Sequence, residues 1–224
     1  MEHIEQAGIH SGDSACVLPP FKVSEYHLNI IRDYVQRIAL RIAVKGLMNV
    51  QFAIKDDVVY VLEVNPRASR TVPYLSKATG VPLAKVAARL MLGQTLAEVG
   101  LTHDLEVSGV FVKTPVFPFV RFPGVDTILG PEMRSTGEVM GIDRSFEVAF
   151  AKSQLGGGTR VPRKGTVFVS VREIDKTRIA EAVRLLHSLG FKVMGTSGTQ
   201  RFLTDNGIPT EQVNKVLEGR PHIV

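Results

Sequence analysis

Glu63 and Asn65 stand two residues apart in the run Tyr60-Val61-Leu62-Glu63-Val64-Asn65, and Pro66, Arg67 and Arg70 follow at once. The run is rich in β-branched and aromatic residues, which predicts a strand, with Asp56-Asp57 as the turn before it. Side chains alternate along a strand, so Glu63 and Asn65 project from one face. Met48 to Ile54 reads as the hairpin partner, joined through Lys55-Asp56-Asp57, and it could carry Gln51 alongside the pair. One carboxylate and two amide oxygens on a single surface suit Mg2+, a hard cation that takes oxygen ligands and shares them with substrate phosphates. Pro66 has no N–H for the ladder and ends the strand. The guanidinium groups of Arg67 and Arg70 suit phosphate oxygens. Such a metal site flanked by two arginines describes phosphoryl transfer, in which positioning and charge neutralisation do most of the catalysis. The same residues also fit a plain solvated face of a half-buried sheet, and spacing alone leaves both readings open.

The elements that must hold this strand are partly readable. Ser24 starts a helix whose apolar residues Leu28, Ile31, Val35, Ile38 and Ile42 fall three or four apart, predicting one buried stripe over 26–43, closed near Gly46. A second helix is expected over 83–92, ended by Gly93, and Thr95 can cap a short one over 96–99. Val107 to Val120 is strand-like but interrupted by Pro115 and Pro118, which belong at edges or bulges. Phe122 to Asp126 reads as a turn. Ser145 caps a helix to Gln154 with Phe146, Ala149 and Phe150 inside. Gly156-Gly157-Gly158 and the polar residues to Gly165 then read as a linker. The pattern beyond it is βαβα: a strand over 166–171, a helix over 176–189 capped by Asp175 with Ile179, Val183 and Leu186 inward, a strand over 191–194, and a short helix over 200–206. That order predicts a parallel sheet.

Composition narrows the class. The chain has 224 residues, 44% hydrophobic and 22% charged, ordinary values for a globular protein of one large or two small domains. No apolar run reaches the roughly eighteen residues a membrane helix needs. Met1-Glu2-His3-Ile4-Glu5 lacks the basic start and apolar core of a secretory signal. Cys16 is the single cysteine, which excludes a disulfide framework and points to a reducing, cytoplasmic compartment. The net charge of +5 and pI near 9.4 raise nucleic acid as a ligand. Yet the positive charges are scattered, the densest group (Arg160, Arg163, Lys164) lies in the linker, and no nucleic-acid motif occurs, so no nucleic-acid partner and no membrane are expected. The six histidines are scattered and build no metal cluster with the lone cysteine. The glycine triplet has no strand before it and is not a dinucleotide loop.

Larger motifs surround the strand. Gln51 with Glu63-Val64-Asn65-Pro66-Arg67 resembles the metal-binding end of an ATP-grasp domain. Residues 1–14, ending in Gly8-Ile9-His10-Ser11-Gly12-Asp13-Ser14, resemble the carbamoyl phosphate synthetase large-subunit family. So do Arg70-Thr71-Val72-Pro73, the segment 76–87, and Leu129-Gly130-Pro131-Glu132-Met133-Arg134-Ser135-Thr136-Gly137-Glu138-Val139-Met140-Gly141. The resemblance runs the whole length in one order and implies an α/β chain. Residues 1–155 would be the C-terminal portion of an α+β ATP-grasp domain, the carbamoyl-phosphate-forming half. Residues 156–165 would link it to 166–224, the start of a parallel-sheet, methylglyoxal-synthase-like allosteric domain. The first residues match an interior stretch of the family and Glu218 to Val224 stop in mid-pattern, so the sequence is expected to be a piece of a longer chain.

Site assignments follow from the resemblance. Gly8, Ile9, His10 and Ser11, with Gln51 and Glu63, would contact ATP, although a polar glycine loop by itself is also a common connector. Gln51, Glu63 and Asn65 would hold Mg2+ or Mn2+, and Arg67 and Arg70 would neutralise charge on the transferred phosphoryl. Arg134 is balanced between a structural and a ligand role. Lys176, Thr196, Thr199 and Lys215 would bind a nucleotide monophosphate or inorganic phosphate, with Thr196-Ser197-Gly198-Thr199 offering a helix N-terminus. The implied reaction is phosphorylation of carbamate, within the synthesis of carbamoyl phosphate from bicarbonate, ammonia or glutamine and two ATP, serving arginine and pyrimidine synthesis. The implied partners are a glutaminase small subunit and the upstream half of the large subunit, without which the piece is expected to be inactive. Two rival readings remain. One is a non-catalytic regulatory module. The other is a different ATP-grasp ligase, but such families lack Arg70-Thr71-Val72-Pro73-Tyr74, the segment 131–140 and the trailing domain.

Overall fold

The computed structural model describes residues 1–220 and 222, so the last part of the expected 166–224 domain lies outside the described residues. The chain divides into two compact units, Met1–Arg160 and Val161–Val224.

In the first unit a four-stranded antiparallel sheet, in the order β1-β2-β5-β6, is built from β1 (Glu2–His3), β2 (Cys16–Leu18), β5 (Val110–Val116) and β6 (Gly137–Asp143). One face of it packs on α4 (Phe146–Gly156). Val17, Val112 and Ala149 form that core, with Phe146 and Phe150 against it. Gly141 brings sheet and helix together, because an added Cβ would lie 2.0 Å from the Ala149 carbonyl oxygen. The other face carries Phe111 with Tyr74 and Ala78 of α2 (Val72–Thr79), and the buried Tyr74 hydroxyl donates to the Phe111 carbonyl at 2.8 Å. α3 (Leu83–Met91) follows, ended by Gly93 at φ +98°.

The hairpin forms as expected, from β3 (Asn49–Lys55) and β4 (Val58–Asn65). Asp56 and Asp57 take φ +51° and +59°, a two-residue turn whose twist matches that of the strands. The covering helix, α1 (Glu25–Arg41), is capped by the Ser24 hydroxyl accepting from His27 N–H. Its expected buried stripe is only half-buried, and Ile42 is exposed. The cause is the two-stranded sheet beneath it: a hairpin alone is too narrow to enclose a helix, and Val58, Tyr60, Val61 and Leu62 stay open as well.

Other expectations are corrected in detail. Thr95 and Glu98 bond reciprocally as a capping box, but only a turn forms behind them. α4 runs on through Gly156, where an added Cβ would meet Val139, so the helix extends into the glycine triplet.

The second unit is a parallel sheet in the order β7-β8-β9, made of β7 (Thr166–Val169), β8 (Lys192–Gly195) and β9 (Glu211–Gln212). The helices α5 (Lys176–Ser188) and α6 (Ser197–Asp205) alternate with them. Val169, Val183, Val193, Leu203 and Ile208 are its core. Asp175 precedes α5 without a side-chain cap, because its carboxylate is held 3.0 Å from Arg172. α6 starts at Ser197 rather than Gln200, so the expected turn is already its first helical turn.

Candidate functional site

The hairpin register places Gln51 directly opposite Glu63, and Asn49 opposite Asn65. Phe52 then pairs with Val61, leaving Leu62 as an extra residue in a bulge. A bulge re-aims side chains, and here the sequence neighbours Leu62 and Glu63 border the same cleft. Glu63 Oε1 accepts from Asn65 Nδ2 at 2.6 Å, and Asn65 Oδ1 accepts from the Arg67 guanidinium at 3.0 Å. Arg67 therefore reaches the carboxylate through the Asn65 amide; it also donates to the Ala68 carbonyl at 3.0 Å. Arg70 lies against Met133 Sδ, with Ser135 Oγ at 3.5 Å. Among the described residues neither arginine pairs with a carboxylate.

The loop Gly8–Ser11 closes the cleft from the other side. His10 N–H donates to the Gly130 carbonyl at 2.9 Å, and His10 Nδ1 accepts from Gly12 N–H at 3.0 Å, capping a short 3-10 turn over Ser11–Asp13. With Nδ1 accepting, the proton of the neutral ring sits on Nε2. Asp13 is fully buried and accepts the backbone N–H groups of Arg134 at 2.7 Å and Ser135 at 2.8 Å. Burial alone pushes its carboxyl up, but the bonds from Ser135 and Arg134 outweigh that and hold it below the ordinary aspartate value. Ser135 Oγ donates to the Gly12 carbonyl at 3.0 Å, so the loop is clamped at three points. Arg134 is part of this clamp, and its guanidinium donates to the Asp126 carbonyl, a structural placement.

The outcome is a cleft of about 220 Å3 lined by Ala7, Gly8, Ile9, His10, Ser11, Gln51, Leu62, Glu63 and Pro131. All six residues expected at a nucleotide line it; Asn65, Arg67 and Arg70 do not. The donor chemistry fits a hard divalent cation. Glu63 Oε2 and the Gln51 amide make no hydrogen bonds among the described residues, whereas Asn65 would have to release Glu63 and Arg67 to serve as a ligand. No group of three or more His, Cys, Asp or Glu side chains could hold a metal among the described residues. A cation here would therefore draw much of its shell from phosphate oxygens, the usual mode for Mg2+.

In the second unit Lys176, Thr196 and Thr199 converge at the start of α6, at 8%, 7% and 2% exposure. Lys176 Nζ donates to Glu173 Oε2 at 2.6 Å and stands beside Gly198. Thr199 Oγ1 accepts from Val171 N–H at 3.4 Å, and the Thr196 and Ser170 hydroxyls are 3.1 Å apart. Lys215 is exposed, its backbone N–H donating to Glu218 Oε2 at 2.9 Å, and no hydrogen bond joins it to the other three.

Comparison with known proteins finds a match within each unit. Residues 1–99 match the family described as carbamoyl-phosphate synthase L chain, ATP binding domain, and residues 178–224 match the MGS-like domain. The carbamoyl phosphate synthase large chains of Mesorhizobium japonicum and Archaeoglobus fulgidus are 60% and 55% identical to this chain over its full length. Over its whole length the chain is similar to one segment of the carbamoyl phosphate synthase large chains. It spans about one fifth of those relatives, 20% and 21% of their lengths. A single-chain, multi-domain long-chain acyl-CoA carboxylase shares the fold, at TM-score 0.50 and 19% identity, over 63% of this chain and 18% of that one.

Sequence reasoning missed several parts of this large-chain segment. Asp13 carries no local sign of its task, although it ties the loop to a segment 121 residues away in sequence. Pro131 lines the cleft with no polar group to announce it. Lys113 lies in an apolar strand and is buried beside the loop.

Proposed function

We propose that the first unit forms the nucleotide end of the ATP site at which carbamate is phosphorylated. The observation that carries this reading is the cleft in which Gly8–Ser11 meets Gln51 and Glu63. A carbamate oxygen would attack the γ-phosphorus of ATP while the bond to the β,γ-bridging oxygen breaks, giving carbamoyl phosphate and ADP. His10 lines the cleft and, with Nδ1 tied to Gly12, would offer its Nε2–H to a bound nucleotide. Gln51 and Glu63, joined by Asn65 if its amide turns, would hold Mg2+ or Mn2+. Such an ion, when bound, would supply positive charge to offset that of the nucleotide phosphates. Arg67, coupled to Glu63 through Asn65, and Arg70 supply positive charge for the transferring phosphoryl. Carbamate decomposes in water, so the site needs closure, which this reading assigns to the upstream half of the large chain. Ammonia would come from a glutaminase subunit, in the cytoplasm; no described helix is long and apolar enough to cross a membrane. The test is ATP formation from carbamoyl phosphate and Mg-ADP, with this segment alone and within the longer large chain. Activity confined to the longer form is expected, and activity in neither overturns the reading.

A specific observation also favours a regulatory role for the second unit: a buried lysine and two buried threonines at a helix N-terminus. They suit the phosphate of a nucleotide monophosphate, or inorganic phosphate. Calorimetry with uridine monophosphate tests this, and no heat at millimolar ligand would count against it.

A further inference from the structure

Lys113 is 1% exposed, and a buried ammonium is costly unless its protons find partners. Alternation along β5 puts Val112 and Thr114 on the α4 side, where they meet Ala149 and Ser153. Lys113 therefore lies on the opposite face, with Phe111. Among the described residues its Nζ has two partners, Glu138 Oε1 on β6 at 3.4 Å and the Ser11 carbonyl oxygen at 3.5 Å. Ser11 lines the cleft and Lys113 does not. An apolar side chain of similar length would fill the sheet face at lower cost, since a buried ion pair is often no better for stability than its hydrophobic replacement. The ammonium adds a grip on the loop. Asp13 and Ser135 clamp residues 12–13 to the segment 134–135, and the Lys113 ammonium reaches the Ser11 carbonyl, the end of the loop that faces the cleft.

We infer that Lys113 is a positioning residue for the nucleotide site: anchored by Glu138, it holds the Ser11 carbonyl and so sets the shape that Gly8–Ser11 presents to the ligand. This rests on the nucleotide reading given above. It predicts that removing the ammonium weakens nucleotide capture, because the Ser11 end of the loop loses its hold, and leaves the phosphoryl step nearly alone, because Lys113 does not line the cleft.

The test uses the large chain that contains this segment, with ATP formation from carbamoyl phosphate and Mg-ADP as the readout. Lys113→Met is expected to raise the KM for Mg-ADP about tenfold, the scale of one lost charge-assisted hydrogen bond, with kcat within about twofold. Lys113→Arg, which keeps the charge, is expected to restore most of the KM. If Lys113→Met alone does not fold, the double variant Lys113→Met with Glu138→Leu replaces the ion pair by two apolar side chains and removes the unpaired carboxylate. The same rise in KM is expected of it. A wild-type KM in a folded Met variant overturns the inference, as does a fall in kcat with KM unchanged. An unmodified chain that makes no ATP indicts the nucleotide reading instead, so the two failures are distinguishable.

Discussion

Gln51 and Glu63 face each other across the β3–β4 ladder, one residue before it slips at Leu62. That register turns two residues twelve apart in sequence into the floor of one cleft, with Glu63 Oε1 already engaged by Asn65 and its other oxygen open. Because Glu63 is exposed and supports no core packing, its loss should separate function from folding. Glu63→Ala in the longer chain is expected to abolish carbamoyl phosphate formation while shifting stability by no more than about 0.5 kcal/mol. Parallel measurement of turnover and thermal midpoint checks this, and near-normal turnover would overturn the proposed role of Glu63 in holding a cation.

The contact between β6 and α4 makes a second prediction. A Cβ on Gly141 would fall 2.0 Å from the Ala149 carbonyl oxygen and 2.5 Å from the Ser153 nitrogen, both backbone atoms that cannot rotate away. Gly141→Ala should force the helix off the sheet and cost about 3 kcal/mol, at the upper end for overpacking. Denaturant unfolding of the first unit measures it. A variant as stable as the parent would mean that α4 can shift freely.

How far the site was legible depends on the range of its forces. The hairpin was readable because an acidic dipeptide turn between β-branched runs is a local signal, and alternation then put Glu63 and Asn65 on one face. The parallel sheet of the second unit was readable from the order of its elements. β1 and β2 were not, since two or three residues carry no periodicity and only their partners on β5 make them strands. α2 spans only eight residues, too few for a clear period, and Pro73 sits in its first turn, where the missing N–H has no partner anyway. The buried stripe of α1 was over-read, because periodicity says which face is apolar and not what covers it. Asp13 and Lys113 act between segments about a hundred residues apart, a distance over which no local pattern speaks.

Asp13 gives a prediction in pH. Its carboxyl titrates lower in the folded chain than in an unfolded one, because the hydrogen bonds from Ser135 and Arg134 outweigh burial. A depressed carboxylate contributes stability that is complete above the unfolded value, about 3.9, and is lost as pH falls through the folded value. The parent should therefore weaken on acidification below about pH 4, whereas Asp13→Asn should be weaker near neutrality, by about 2 kcal/mol, and less sensitive in that acid window. Unfolding midpoints at a series of pH values test the sign. An identical acid slope in both proteins would place the acid sensitivity elsewhere.

The last prediction concerns the second unit. Thr199 is buried with its Oγ1 on Val171 N–H, and Lys176 is buried with Nζ on Glu173 at the start of α6. A phosphate arriving at that helix end would meet backbone N–H groups, two hydroxyls and one ammonium, and it would compete with Glu173 for the ammonium. Lys176→Met removes the buried positive charge at the start of α6 and should weaken uridine monophosphate at least about tenfold, because a charge-assisted bond to phosphate is lost. Lys215→Met tests the outlying member: the structure gives Lys215 no hydrogen bond to the cluster, so a smaller loss is expected of it. Titration calorimetry on both variants, with circular dichroism to confirm the fold, ranks them. Equal losses would mean that Lys215 reaches the ligand as well, and no loss in either would take the phosphate away from this end of α6.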